Sequence, residues 1–296
     1  MTRSLLSRIR SRLQGQQSAA PTRGVSEEHD LRDAPAPWSP LNTEQPGGSA
    51  MCNICGWVGV AFTGPQHVEG NQCPRCGSIG RDRFLHWCLR AGGGLRGGER
   101  VLENSPRLGA PYRQAMARWF DYVTSDFDES AHRGQMRIDL QAIDLPDASF
   151  DVILSAHVLE HVPDTDKALA ELQRVIRPDG RLLLQVPILQ GSTAPPTAPE
   201  FHGDNTPVFW RFGWDLTARL RAVGFQARAL CTESWQRAAL GSAIEWGGPT
   251  SGEFDVESML AGAVPEDLTV AADDRQSRLL GFEPGYQFVT WECLKP

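Results

Sequence analysis

The chain has 296 residues, 41% of them hydrophobic and 22% charged, with a formal net charge of −7 at pH 7. This is a globular composition, long enough for one large domain and a small companion. The acidic balance weighs against broad nucleic-acid binding, and no apolar run is long enough to cross a membrane as a helix.

Residues 1–14 are basic, with Arg3, Arg8, Arg10 and Arg12 and no acid. Leu5, Ile9 and Leu13 fall on one helical face, a pattern suited to peripheral contact with an anionic membrane surface. The stretch lacks the apolar core and small-residue cleavage site of a secretory signal. Residues 15–50 carry Gln, Ser, Pro, Gly and mixed charges without periodicity. We read residues 1–50 as a disordered basic N-terminus and linker.

At Cys52 the texture changes. Cys52-Asn53-Ile54-Cys55-Gly56 and Cys73-Pro74-Arg75-Cys76-Gly77 form C-x2-C-x17-C-x2-C, the spacing of a structural zinc site. Each pair presents two thiolates from one tight turn, and the following glycine permits the turn. Four thiolates from Cys52, Cys55, Cys73 and Cys76 would close a tetrahedral shell and leave no catalytic position. Residues 51–83 are therefore expected to be a zinc ribbon, with strand character from Trp57 to Phe62. Cys88, Cys231 and Cys293 read as ordinary buried thiols. Metal-type spacing and no disulfide framework point to a reducing, cytoplasmic compartment.

Ser78 to Arg90 should form a helix docking the ribbon on the main domain, residues 84–296. Arg81 and Arg83 at its start suit a solvated or salt-bridged role. Gly92 to Gly98 (GGGLRGG) precedes a strand, the wrong order for a phosphate loop, and reads as a hinge. The main domain then alternates: strand Val101–Glu103, helix Gly109–Arg118, strand Phe120–Thr124, and a short strand Gln135–Ile138. The next strand is Phe150–Leu154. A helix opens at Pro163-Asp164, with Asp164 or Thr165 as its cap. Ala168, Leu169, Leu172, Val175 and Ile176 make its apolar face. Pro178 ends it, Asp179-Gly180 turns, and Arg181–Val186 is the next strand. A loop over 188–207, a helix Trp214–Val223, and strands Phe225–Leu230 and Tyr286–Leu294 complete the pattern. Such alternation predicts a doubly wound α/β sheet with ligands at the carboxyl ends of its strands, so Ser155-Ala156-His157 should lie near the chemistry.

The phrase LPDASFDVILSAHVLEHVPDTDKALAELQRVIRPDGRLLLQVP is very similar to the motifs around strands four and five of class I S-adenosylmethionine-dependent methyltransferases. CPRCGSIGRDRFLHW resembles a bacterial branch of that family with an N-terminal zinc ribbon. The resemblance covers about residues 51–230 and the final strand. It implies a Rossmann-like sheet whose last strand is antiparallel, an enzyme, and S-adenosyl-L-methionine as cofactor beside structural zinc. Where the family has an acid followed by Gly-x-Gly, this chain has Glu103-Asn104-Ser105-Pro106, and Ser and Pro are expected to require a wider backbone path. The resemblance further implies that Asp126, with Phe127 beside it and Asp128 as the alternative, binds the ribose hydroxyls. Asp139 would accept from the adenine amino group, with Leu140 on the ring, and Ser155, Ala156 and His157 would flank the sulfonium methyl.

The implied reaction is an in-line displacement at that methyl, where orientation and water exclusion do most of the work. A base is needed only for an acceptor of high pKa, and His157, His161 and His202 are the candidates. His161 has a structural alternative, and Glu160 reads as a brace for the same turn. Phe201, His202, Trp210 and Arg211 lie in a segment that partly matches the zinc-ribbon branch and would suit a polar ring acceptor. Residues 233–276 interrupt the family pattern and suggest an insertion near the sheet edge. The reading is O- or N-methylation of a small-molecule or glycan acceptor. The alternatives are an RNA or protein methyltransferase that uses the ribbon for recognition, and a catalytically silent scaffold.

Overall fold

The structure, a computed structural model, describes residues 31–39, 41, 50–64, 71–128, 134–202, 205–241, 256–282 and 289–296. The basic stretch 1–14 and its expected membrane contact lie outside the described residues. Among those described, no helix is long and apolar enough to cross a membrane.

A two-stranded ribbon, β1 (Ala50–Met51) and β2 (Val58–Gly59), precedes helix α1 (Gly80–Ala91). The main domain then runs β3 (Arg100–Asn104), α2 (Ala110–Trp119), β4 (Asp121–Asp126), β5 (Met136–Arg137), β6 (Phe150–Ala156), α3 (Thr165–Val175) and β7 (Ile176–Gln185). A small hairpin, β8 (Glu200–Phe201) with β9 (Pro207–Val208), follows, then α4 (Leu216–Ala222), β10 (Gln226–Thr232) and α5 (Glu233–Ala239). The chain continues through α6 (Val256–Leu260), β11 (Leu268–Ala272), α7 (Asp274–Leu280) and β12 (Val289–Leu294).

Eight strands form one sheet in the order β11-β10-β12-β7-β6-β3-β4-β5. Strands β7, β6, β3, β4 and β5 pair in parallel, and β12 enters antiparallel between β7 and β10. Neighbouring residues within a strand bury on opposite faces. Ile153 and Leu182 pack with α3 and α4, while Leu154 and Leu183 pack with α1 and α2. This two-period alternation, buried on both sides, explains why the inner strands read as unbroken apolar runs.

Asp164 is the cap of α3, its side chain accepting from the Lys167 backbone N–H. Leu169 and Leu172 are fully buried, each removing apolar area worth about 1.5–3 kcal/mol. The turn at Asp179-Gly180 is absorbed into β7 as an irregularity, with Phe150 paired to Ile176 and Val152 to Arg181. Asp179 takes a φ of 62° there.

One expectation needs correction. Residues 31–39, assigned to a disordered linker, are docked: Leu31 is buried and Trp38 meets Phe120 edge-on with ring centroids 5.9 Å apart. Arg118 and Arg90 donate to the carbonyls of Leu31 and Ala36 at 2.6 and 3.0 Å, so satisfied backbone groups and a buried leucine hold the segment. Within the stretch 233–276, expected as an insertion near the sheet edge, residues Leu268–Ala272 add a parallel edge strand beside β10. Sequence periodicity was too short there to show it.

Candidate active site and metal centre

The two cysteine knuckles have the same build. Gly56 N–H donates to Cys52 O and Gly77 N–H to Cys73 O, both at 2.9 Å, and both glycines adopt left-handed φ, 72° and 71°. Only a residue without a Cβ takes this conformation readily, so the knuckle glycines are required by the turn. Sγ atoms of Cys52 and Cys76, and of Cys55 and Cys73, are 3.6 Å apart, and all four converge within 4.8 Å. Four sulfurs around one zinc at about 2.3 Å would stand roughly 3.8 Å apart, so the set fits a closed tetrahedral site. Cys88, Cys231 and Cys293 are buried thiols away from this cluster.

Helix α1 carries the ribbon onto the strand ends. Asp82 accepts from the Ile79 N–H at 2.9 Å and pairs with Arg107 in the loop after β3. Arg83, fully buried, donates to Ser78 O and Leu280 O and stacks 3.8 Å above the Phe62 ring. Burial pushes its pKa down, and carbonyls rather than a substrate take its charge. Between α1 and the sheet lies a cleft lined by Arg81, His86, Glu103, Asn104, Ser105 and Ala156, among others. The contribution of α1 to this wall was not anticipated, because helical periodicity does not say which neighbour a face meets.

The strand ends form one row. Asn104 pairs in register with Ser125 on β4 and with Ser155 on β6. Ser125 Oγ donates to Asn104 Oδ1 at 2.8 Å, and Ser105 N–H donates to Ser125 O at 2.7 Å. Ser105 has φ 48°, the left-handed conformation that glycine would supply in the family pattern. Thus the turn carries a left-handed residue although the glycines are gone. The Glu103 carboxylate accepts from Tyr122 at 2.6 Å and Tyr112 at 3.0 Å. Burial pushes its pKa up to about 7, the tyrosine bonds working against that rise.

The remaining predicted residues divide. Asp126 is buried at the end of β4 and accepts from the Asp128 N–H at 3.1 Å. Phe127 is 59% exposed, with the Arg137 guanidinium over its ring at 5.4 Å. Asp139 accepts from Gln141 N–H at 2.9 Å, shaping its own turn, and Leu140 points into the core. Asn104 Nδ2 and both ring nitrogens of His86 are buried without a partner in the cleft wall, and Ser155 Oγ is buried and unpaired one strand away. Such orphaned polar atoms suit a polar ligand such as a nucleoside.

His157 follows β6 with φ 56°, a conformation that non-glycine residues hold only when surroundings impose it. Burial pushes its pKa well down, so its imidazole is neutral. Its Nδ1 lies 3.6 Å from Glu160 Oε1, and His161 Nε2 lies 3.8 Å from the same oxygen. The hairpin β8–β9 folds over this cluster. Phe209 N–H donates to Glu160 O at 2.8 Å, Trp210 Nε1 to Pro163 O at 2.9 Å, and the His202 ring meets that of His161 at 4.6 Å. Arg211, expected to face an acceptor, is paired with Glu200 at 2.8 Å.

Comparison with known proteins fits this layout. A family described as a methyltransferase domain matches residues 113–184. A 49-residue stretch is 47% identical to the ubiquinone/menaquinone biosynthesis C-methyltransferase UbiE of Hahella chejuensis, covering 17% of this chain and 20% of that protein. Over 156 residues the chain is 31% identical to the arsenite methyltransferase of Aquipseudomonas alcaligenes, covering 52% of this chain and 42% of that one. The chain thus spans less than half the length of these two relatives. The solved structure of YcgJ from Bacillus subtilis shares 18% identity and a TM-score of 0.41, covering 72% of this chain and 98% of that one. The matched domain, with its motifs at the ends of parallel strands and an antiparallel last strand, supports a class I S-adenosylmethionine-dependent methyltransferase.

Proposed function

We propose that the protein transfers a methyl group from S-adenosyl-L-methionine to a small-molecule or glycan acceptor. The observation that carries this reading is the row Ser125–Asn104–Ser155, which puts the carboxyl ends of β4, β3 and β6 side by side. In an open α/β sheet that edge is where ligands bind. Glu103, Asn104 and Ser105 would bind the cofactor's methionine end, and Asp126, with Phe127, its ribose. Asp139 and Leu140 would serve the adenine, as the family resemblance implies. Ser155, Ala156 and His157 would flank the methyl. Zinc in the four-cysteine site would fix the ribbon and so the cleft wall.

The sulfonium already activates the leaving group, so the chain's residues need to orient acceptor and cofactor and exclude water. His157, neutral and following Ala156 of the cleft wall, would take the proton from an acceptor hydroxyl or amine. His161 and His202 stand one shell further along the same cluster. The UbiE and arsenite enzymes act, by their names, at carbon and at arsenic. The protonatable side chains here favour an oxygen or nitrogen acceptor instead.

Calorimetry with S-adenosylmethionine and S-adenosylhomocysteine tests the reading. Binding of both is expected, weakened by at least about tenfold in Asp126→Ala, the loss of hydrogen bonds to a charged acceptor. Folded, zinc-loaded protein that binds neither would sink it.

A further inference from the structure

We propose a second metal site, formed by Glu160, His161 and His202 with His157 at its edge, that takes a divalent first-row transition ion. One ligand atom from each of the three lies within 4.8 Å of the others. They come from separate segments, the 3₁₀ turn Leu159–His161 and the β8–β9 hairpin, brought together by the Phe209 N–H bond to Glu160 O.

The second observation is the state of Glu160. Its side chain is 1% exposed, and neither carboxylate oxygen has a hydrogen-bond partner. A brace would accept bonds, and only the backbone carbonyl of Glu160 does so. A buried carboxylate left this way is costly unless a proton or a cation answers it. His157 Nδ1 and His161 Nε2 stand 3.6 and 3.8 Å from Oε1, too far for hydrogen bonds. Two ligands of one ion with bonds of about 2.1 Å stand roughly 3–3.5 Å apart, so ligand atoms now within 4.8 Å of one another would draw together around the ion.

The histidine is already set for ligation. His161 Nδ1 is 2.8 Å from Pro207 O and must donate to it, which leaves the Nε2 lone pair toward Glu160. A backbone carbonyl fixing the tautomer in this way is the usual support behind a metal-bound imidazole. The rings of His161 and His202 meet at 85°, so both can aim at one point.

Two imidazoles and one carboxylate, without thiolate, suit Mn²⁺, Fe²⁺, Co²⁺ or Zn²⁺ better than Ca²⁺. The contrast with the ribbon is functional. Four cysteines close their site, whereas three ligands with His202 exposed leave positions open to an incoming molecule. The consequence for chemistry rests on the methyl-transfer reading, although the site itself does not. An acceptor hydroxyl bound to the ion would lose its proton to His157. The oxygen would then bond to the methyl carbon as the carbon–sulfur bond breaks and its electron pair returns to sulfur, giving neutral S-adenosylhomocysteine.

To test this, protein with zinc in its four-cysteine site is dialysed against a mild chelator and titrated with Mn²⁺. Binding is read as loss of the free-ion electron paramagnetic resonance signal. One Mn²⁺ per chain is expected, with affinity falling at least about tenfold in Glu160→Gln and in His202→Ala. His202 is exposed, so its variant tests ligation without disturbing the core. No saturable Mn²⁺ site, or a site retained by both variants, overturns the proposal. S-adenosylhomocysteine binding, followed in parallel, separates the two readings: Mn²⁺ binding without it supports the metal site and removes methyl transfer.

Discussion

Arg107, in the loop that follows β3, is paired with Asp82, whose carboxylate also caps helix α1. The loop expected to cradle the cofactor and the helix that carries the cysteine ribbon are therefore tied through one side chain. Asp82→Ala should remove both links. The lost cap costs about 1 kcal/mol, and S-adenosylhomocysteine affinity should fall several-fold with zinc content unchanged. Denaturant titration and calorimetry on the same preparation check this. An unchanged affinity would mean that the ribbon helix does not set the loop.

The ribbon should be held by its metal. The ribbon's strands are only two residues each, and Arg83 relies on the ribbon's Ser78 carbonyl for one of its bonds. Cys73→Ser should abolish tightly held zinc, lower the melting temperature and weaken cofactor binding, since Arg81 and His86 of α1 line the cleft. Elemental analysis with thermal melts decides the point. Wild-type protein that is metal-free yet equally stable would refute a structural zinc.

Glu103 makes stability depend on pH. Its folded pKa is raised to about 7 from an ordinary value of 4.5, chiefly by burial. The sign follows directly. Below pH 4.5 the group is protonated in both states and costs nothing. Between pH 4.5 and 7 the unfolded chain ionises while the folded one does not, so stability falls as pH rises. The full difference is about 3 kcal/mol, an upper figure for a group with two tyrosine donors. Glu103→Gln should flatten the slope over this window in urea titrations. A slope that persists would place its origin elsewhere.

Ser105 holds φ 48° without glycine's freedom. Ser105→Gly should relieve that strain and stabilise the fold by roughly 1 kcal/mol, the left-handed penalty less the entropy glycine loses on folding. A β-branched replacement, Ser105→Val, should destabilise it. If glycine destabilises the protein as well, the loop conformation is set by a side-chain contact and not by its backbone.

What the sequence determined by itself was whatever is local or periodic. Alternating apolar runs specified the parallel strands and α3, because burial on two faces or on one leaves a pattern in neighbouring residues. Paired Cys-x-x-Cys-Gly units specified the ribbon, because the turn itself demands those residues in that order. The row Ser125–Asn104–Ser155 required the sheet, since register between strands 21 to 51 residues apart is carried by no single segment. The docking of α1 over the cleft, the edge strand β11 and the left-handed Ser105 were likewise tertiary decisions. Glu160 shows the division most plainly. Its place in His-Val-Leu-Glu-His was visible, but the chain order suggested a brace. Only burial without a partner, together with His202 delivered by the β8–β9 hairpin, made Glu160 the centre of the proposed metal site.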